Sequence, residues 1–368
     1  MKQIKVMAVF GTRPEGIKMG PVVRRLIEDD RFSPVVVSTG QHAEMLQQVL
    51  DVFHIRPDYD LKIMKPGQGL TQITMTTMQR LEPIVQKERP AIMLVHGDTS
   101  SAYAAALTAF YNRIAIGHVE AGLRTWNKYS PYPEEMNRQM IDDLADLYFA
   151  PTATSADNLH RSNHQQGITV TGNTAIDALK YTVNQDYHHP ALEKIAPNHQ
   201  IILLTMHRRE NWGQPMKETF RAIKDVVDAR ANLDVIYPVH LNPIVRNTAD
   251  EVFAGDPRVH LVDPLDVVDF HNIMSRSLLV MSDSGRVQEE APALHKPVLV
   301  LRDTTERPEG VAAGTLKLVG ISYDNVKKQL TSLLDNQEEY QKMSSAQNPY
   351  GDGHASERIL SAIDEWAH

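Results

Sequence analysis

Leu278–Pro292, LLVMSDSGRVQEEAP, holds in fifteen residues the junction from which the architecture of this chain is read. Leu278, Leu279, Val280 and Met281 are an apolar run long enough only for a buried strand. Ser282, Asp283, Ser284 and Gly285 then break the pattern before Val287 to Leu294 resume a helical one. A strand that runs through a tight polar turn into a helix is the repeating unit of parallel α/β sheets. Backbone N–H groups at such a helix start point outward, where the macrodipole favours negative charge, so the turn is an anion site. Glu289 and Glu290 follow within the first turns, at a distance from which one could accept hydrogen bonds from ribose hydroxyls. Phosphate together with ribose points to a nucleotide, against the plainer reading of an N-cap with acids complementing the dipole.

The same unit recurs in both directions. Val6–Phe10, Val35–Val37, Ile92–Val95, Ile114–Val119 and Leu147–Phe149 read as buried strands, with helical spacing in segments such as Met45–Phe53 and Ala102–Tyr111. After a polar, proline-bearing stretch a second series begins: Ile201–Leu204, Val235–Tyr237, Val259–Val262, Leu278–Met281 and Val298–Leu301. The helices near Met216–Ala229, Pro243–Phe253 and Val267–Ser275 lie between them. The expectation is two Rossmann-like, doubly wound α/β domains in tandem, residues 1–172 and 173–354, with a terminal amphipathic helix, 355–368, packing back on the first.

Composition narrows the function. A net charge of −8 over 368 residues argues against a nucleic-acid or anionic-membrane surface, so an anionic ligand needs a local cluster of donors. The absence of cysteine excludes disulfides, zinc-thiolate sites and a thiol nucleophile, and fits a cytoplasmic enzyme. The run Ile4–Phe10 is too short for a membrane span and is followed by Gly11, Thr12, Arg13 and Pro14 rather than by a cleavage site. His160 and His164 lack the acidic partner of a metalloprotease helix and read as a polar helix face, and no G-x-S-x-G elbow is present.

Ligands of such sheets bind at the carboxyl ends of the strands, and polar motifs stand there. GTRPEGIK, Gly11–Lys18, sets Arg13 and Lys18 at the first helix but lacks the dinucleotide fingerprint, which disfavours a nicotinamide cofactor. Asp98 follows one strand, as an N-cap or a reactive carboxylate. Glu120 follows a nearly continuous apolar run, where burial suits it to proton transfer unless it only pairs with Arg124. Glu134 and Glu135 stand behind Pro133 at a helix start. In the second series HRREN, His207–Asn211, puts basic groups beside an imidazole, as a diphosphate leaving group requires, or else a surface pair of Arg208 or Arg209 with Glu210. His240 and Arg307 stand at further strand ends.

Together GTRPEGIK, TGQH, HGDTSS, GHVEAGLRT, YPEEMNRQ, TGNTAID, HRREN, YPVHLNP, SDSGRVQEEAP and KPVLVLRDTTERPEG resemble the bacterial non-hydrolysing UDP-N-acetylglucosamine 2-epimerases, over nearly the whole chain. The resemblance implies two domains of glycosyltransferase-B type with the active site in an interdomain cleft, a cytoplasmic homodimer, and neither metal nor other cofactor. It implies interconversion of UDP-GlcNAc and UDP-ManNAc for teichoic acid, enterobacterial common antigen or capsule. UDP would leave C1 by anti elimination as the C2 proton is lost, and would add back to 2-acetamidoglucal after reprotonation on the opposite face. On matched motifs Asp98, Glu120 and Glu134 are the acid–base carboxylates, and His207 stands beside the leaving diphosphate. Arg13, Lys18, Ser284, Gly285 and Arg307 meet phosphates or sugar, Glu290 the ribose and Phe270 the uracil, and Arg286, which matches no family residue, is expected beside them in the substrate site. Several bacterial members bind a second UDP-GlcNAc as an activator. The matching positions are Gln41, His42, Arg208, His240 and Glu134.

Two departures stand out. The family usually writes the quoted turn with two glycines, whereas Arg286 follows Gly285 here. A left-handed backbone at that position would strain arginine and weaken turnover, while an outward-swung guanidinium would add a phosphate contact. Gly16 and Gly20 stand where alanine is common and are expected to cost the first helix a little stability. The competing readings are a retaining glycosyltransferase on a UDP-sugar, a hydrolysing epimerase, and an impaired nucleotide-sugar sensor.

Overall fold

Alternating Val, Ile, Leu and Met on both faces of short strands leave them no solvated side, and every strand pair formed is parallel. The computed structural model describes residues 3–41, 43–65 and 67–368. Its first sheet is built from β1 (Ile4–Phe10), β2 (Phe32–Ser38), β3 (Tyr59–Asp60), β4 (Ile92–His96), β5 (Ala115–Val119), β6 (Leu147–Ala150) and β7 (Ile168–Val170). Its second is built from β8 (Gln200–Thr205), β9 (Leu233–Pro238), β10 (Val259–Val262), β11 (Leu279–Ser282), β12 (Val298–Val300) and β13 (Leu316–Leu318). The orders are β3-β2-β1-β4-β5-β6-β7 and β10-β9-β8-β11-β12-β13. Each is doubly wound, reversing direction at β1/β4 and at β8/β11, where loops diverge and a ligand can enter.

The chain divides into two compact units, Met1–Tyr181 with Tyr350–His368, and Thr182–Pro349. The division falls at 181/182 rather than the expected 172/173, and the returning segment starts at 350 rather than 355. Hydrogen bonds account for both shifts. The Asn173 amide donates to the Tyr350 carbonyl at 2.7 Å, and the Asp177 carboxylate accepts from the Ala355 and Ser356 amides at 3.2 and 2.8 Å. Asp177 thereby caps the final helix, Ala355–Ala367, from a neighbouring helix, Thr174–Thr182.

In the first unit Met7, Val9, Met93, Val95 and Ile116 form a core with Leu81 and Val85. In the second, one sheet face carries Phe220, Tyr237 and Phe253, and the other carries Phe270, Ile273 and Val287. Gly16 and Gly20 are more than weak helix formers. A Cβ at Gly16 would lie 2.6 Å from Leu46 Cδ1, and one at Gly20 would lie 2.6 Å from Phe53 Cε2. These glycines let the helix Arg13–Glu28 approach the helix Ala43–Val52 and the residue beyond it, so the expectation of a small propensity loss is replaced by a packing role. His160 and His164 do not share a helix face either. The helix ends at Arg161, and His164 Nδ1 turns back to the Tyr148 hydroxyl at 3.1 Å. No helix among the described residues is long and apolar enough to cross a membrane.

Candidate active site

The first unit gathers its motifs at the β1/β4 end. Thr12 caps the helix Arg13–Glu28 in a reciprocal box with Glu15, whose buried carboxylate accepts from the Gly11 and Thr12 amides at 2.8 and 2.7 Å and from the Thr99 hydroxyl at 2.6 Å. Glu15 therefore ties the GTRPEGIK turn to the loop after β4. One turn further Lys18 forms an ion pair with Glu120, both side chains largely buried. Arg13 stands exposed at the same helix start. Glu120 Oε2 also lies 3.5 Å from His96 Nε2, and Oε1 accepts from Asn173 Nδ2 at 3.3 Å. Arg124 is not its partner. That guanidinium meets Asp142 at 2.7 Å.

Glu120 has φ +68°, a left-handed conformation that a glutamate adopts at a cost of roughly 1–3 kcal/mol. The strain aims its carboxylate across the strand ends instead of along β5. His96 is buried, with neither ring nitrogen hydrogen-bonded, and burial pushes its pKa down to about 3, so it is neutral. His118, fully buried, bridges Asp142 Oδ1 at 2.6 Å and the Gly97 carbonyl at 2.8 Å, holding the loop that carries Asp98. Burial pushes the Asp142 carboxyl up, but His118 and Arg124 outweigh it and hold the group below the usual range.

Asp98 does not cap the following helix; Thr99 does, accepting from the Ala102 amide. Asp98 instead meets Arg138 at 2.6 Å. Burial pushes its pKa up to about 6, against the pull of Arg138 and Lys18 and with the help of Glu120 and Glu134. An acid near neutrality suits proton transfer. Glu135 is the structural member of the pair behind Pro133: fully buried, it accepts from the Thr125 and Trp126 amides at 3.0 Å each. Glu134 stays half-buried at the helix start. Gln41 accepts from the Ser101 hydroxyl at 2.8 Å, and His42 lies outside the described residues.

The second unit gathers its motifs at the β8/β11 end. Ser282 pairs with Thr205 in register and through their hydroxyls at 2.7 Å. Asp283, fully buried, accepts from the His207 and Arg208 amides at 2.9 Å each and from Asn211 Nδ2 at 3.1 Å, with His207 Nδ1 3.3 Å away. One carboxylate thus welds the HRREN and SDSG turns together. His207, exposed, stacks on His240 at 5.7 Å between ring centres. The Arg208 guanidinium lies 3.8 Å from each of Glu210 and Glu306.

Ser284 precedes the helix Gly285–Ala293 and makes no side-chain cap, which leaves the first-turn amides to an anion. Arg307 pairs with Glu289 and brings Nη2 to 3.9 Å from where a Gly285 Cβ would stand, so a second cation overhangs the helix start. Neither Gly285 nor Arg286 has positive φ. The expectation of backbone strain at Arg286 is overturned, because the position lies in the first helical turn. Its guanidinium runs along the helix to Glu290 and over the ring of Phe270. Sequence reasoning missed Glu15, Arg138, Asp283 and His118; the only local signal was the capping-box spacing of Thr12 and Glu15.

The family model described as UDP-N-acetylglucosamine 2-epimerase matches residues 24–364. The Bacillus subtilis UDP-N-acetylglucosamine 2-epimerase is 55% identical over 364 residues, covering 99% of this chain and 96% of that protein. A solved structure from Listeria monocytogenes superposes with a TM-score of 0.95 at 52% identity, covering 100% of this chain and 97% of the other. The Neisseria meningitidis UDP-GlcNAc 2-epimerase, solved bound to UDP-GlcNAc, has a TM-score of 0.84 at 44% identity, covering 98% of this chain and 100% of the other.

Proposed function

The chain belongs to the UDP-N-acetylglucosamine 2-epimerase family, and on that premise we propose that it interconverts UDP-GlcNAc and UDP-ManNAc by elimination and re-addition of UDP. The second unit supplies the nucleotide groups: the amides at the start of Gly285–Ala293 and Arg307 for the diphosphate, Glu290 for the ribose hydroxyls and Phe270 for the uracil. The first unit supplies the proton chemistry. A carboxylate takes the C2 proton while the C1–O bond breaks and its electron pair leaves with UDP, giving 2-acetamidoglucal. A second group returns a proton to the opposite face of C2, and the UDP oxygen re-forms the bond to C1.

The observation that carries this reading is the gathering of carboxylates at the β1/β4 end, Asp98 on Arg138 at 2.6 Å and Glu120 on Lys18 and His96, with burial pushing the Asp98 pKa up to about 6. Elimination and reprotonation on opposite faces require two acid–base groups, one able to hold a proton at neutral pH while the other has lost it. His207, oriented by Asp283, is suited to the departing diphosphate. The reading includes a cytoplasmic homodimer, supported by exposed Met75, Phe110 and Tyr111 on packed helices of the first unit. It also includes a second UDP-GlcNAc as an activator.

Incubation with UDP-GlcNAc in D2O, followed at C1 and C2 by NMR, is the test. The proposal expects UDP-ManNAc with deuterium at C2. Free sugar would show hydrolysis, glycosyl transfer without C2 exchange would show a glycosyltransferase, and binding without exchange would show a sensor; each overturns it. For the activator, hyperbolic rates against UDP-GlcNAc and turnover of UDP-ManNAc alone would overturn that part.

A further inference from the structure

Arg286, which directly follows Gly285 at the helix start, is placed on the two side chains that the proposed function gives to the nucleoside. Its Nε lies 3.4 Å from Oε2 of Glu290, and its guanidinium carbon sits 5.8 Å from the centre of the Phe270 ring. The same Oε2 is 3.3 Å from His271 Nε2, and Glu290 is fully buried. Phe270 is 8% exposed, with the rest of its surface packed in the core that contains Ile273 and Val287. A base lying between ring and guanidinium needs contact on both of its faces, about 3.5–4.0 Å each, or roughly 7 Å in all. The observed separation is shorter than that, so a base and the guanidinium compete for one surface.

The alternative partner is close at hand. Arg286 occupies the first turn of Gly285–Ala293, whose start is left uncapped by Ser284. From there an arginine side chain can lie back toward the residue one turn on, or forward toward an anion at the helix start. A diphosphate offers paired oxygens that fit the guanidinium fork better than one strained-off carboxylate contact at 3.4 Å.

Resting on the UDP-binding reading of this unit, we propose that Arg286 is a specificity residue that makes the uridine platform conditional on the diphosphate. In the conformation described, the guanidinium covers Phe270 and engages Glu290. A diphosphate at the helix start draws it forward, exposing the ring to the base and the carboxylate to the ribose. A ligand with uridine but no phosphate must displace the guanidinium without that compensation. The residue therefore widens the preference for UDP over uridine.

The test is calorimetric titration of uridine and of UDP into wild type, Arg286→Gly and Arg286→Gln, the glutamine keeping the helix propensity and removing the charge. Both variants are expected to bind uridine about 3- to 10-fold more tightly and UDP more weakly, so that the ratio of the two dissociation constants falls by about 10-fold or more. Uridine affinity unchanged in both variants, or uridine and UDP shifted by one common factor, overturns the proposal. UDP bound by none of the three proteins overturns the nucleotide site itself, and the role of Arg286 with it.

Discussion

Lys18 and Glu120 form an ion pair in which the side chains are 16% and 11% exposed, and it joins the helix after β1 to the strained turn after β5. The pair sets a cation directly against a mostly buried carboxylate. Glu120→Gln keeps the shape and removes one of the carboxylates proposed for proton transfer, so kcat should fall by about 10²–10⁴-fold. The folding transition should be retained, as shown by circular dichroism. Lys18→Met should also lower kcat more than it raises KM. A purely KM effect would assign Lys18 to substrate binding instead.

Asp98, with a pKa near 6 set first by burial, should place one limb of the kcat/KM profile near pH 6. Arg138 pulls that pKa down. Arg138→Gln should therefore move the limb to higher pH, and an unmoved limb would assign it to another group.

His96 has the opposite consequence for stability. Its folded pKa of about 3 lies below the unfolded value of 6.5, so the unfolded chain takes up a proton that the native state refuses. The contribution is present above pH 6.5 and is lost as pH falls from there toward 3, about 2 kcal/mol at pH 5. Asp98 runs the other way between 6 and 3.8, because its native form holds the proton more firmly. His96→Leu should flatten the loss of melting temperature between pH 7 and 5.

Asp283 is buried with three N–H donors on one oxygen. Asp283→Ala should cost ~2 kcal/mol or more by leaving those donors unpaired. UDP affinity should fall along with the midpoint of urea unfolding, because the His207 loop loses its anchor.

Gly20→Ala would gain helix propensity of about 1 kcal/mol on an exposed helix. Here the added methyl meets the Phe53 ring, itself held edge-on by Tyr181 at 5.4 Å. Overpacking typically costs 1–3 kcal/mol, so the variant should melt at a lower temperature than wild type.

The apolar runs that became β1, β4, β8 and β11 were legible in the sequence, and so were the polar motifs at their ends. Strand burial is a local pattern, and a parallel sheet puts every following loop on one edge. The site carboxylates could be shortlisted for the same reason. Their partners could not. Asp98 with Arg138, Glu120 with Lys18, and Asp283 with the HRREN amides join residues from different strand–helix units. Which polar neighbours meet depends on sheet order and on the packing of helices over it. The Arg286 backbone is a further case. A glycine-rich turn suggested positive φ, yet the helix begins one residue earlier and absorbs the arginine without strain. The sequence by itself determined the two Rossmann-like units, their motifs and the family, because hydrophobic periodicity and turn chemistry are written locally. Only the tertiary structure decided which partners each carboxylate meets, and what Arg286 touches, because pKa and contact are set by burial and by charges brought together across the sheet.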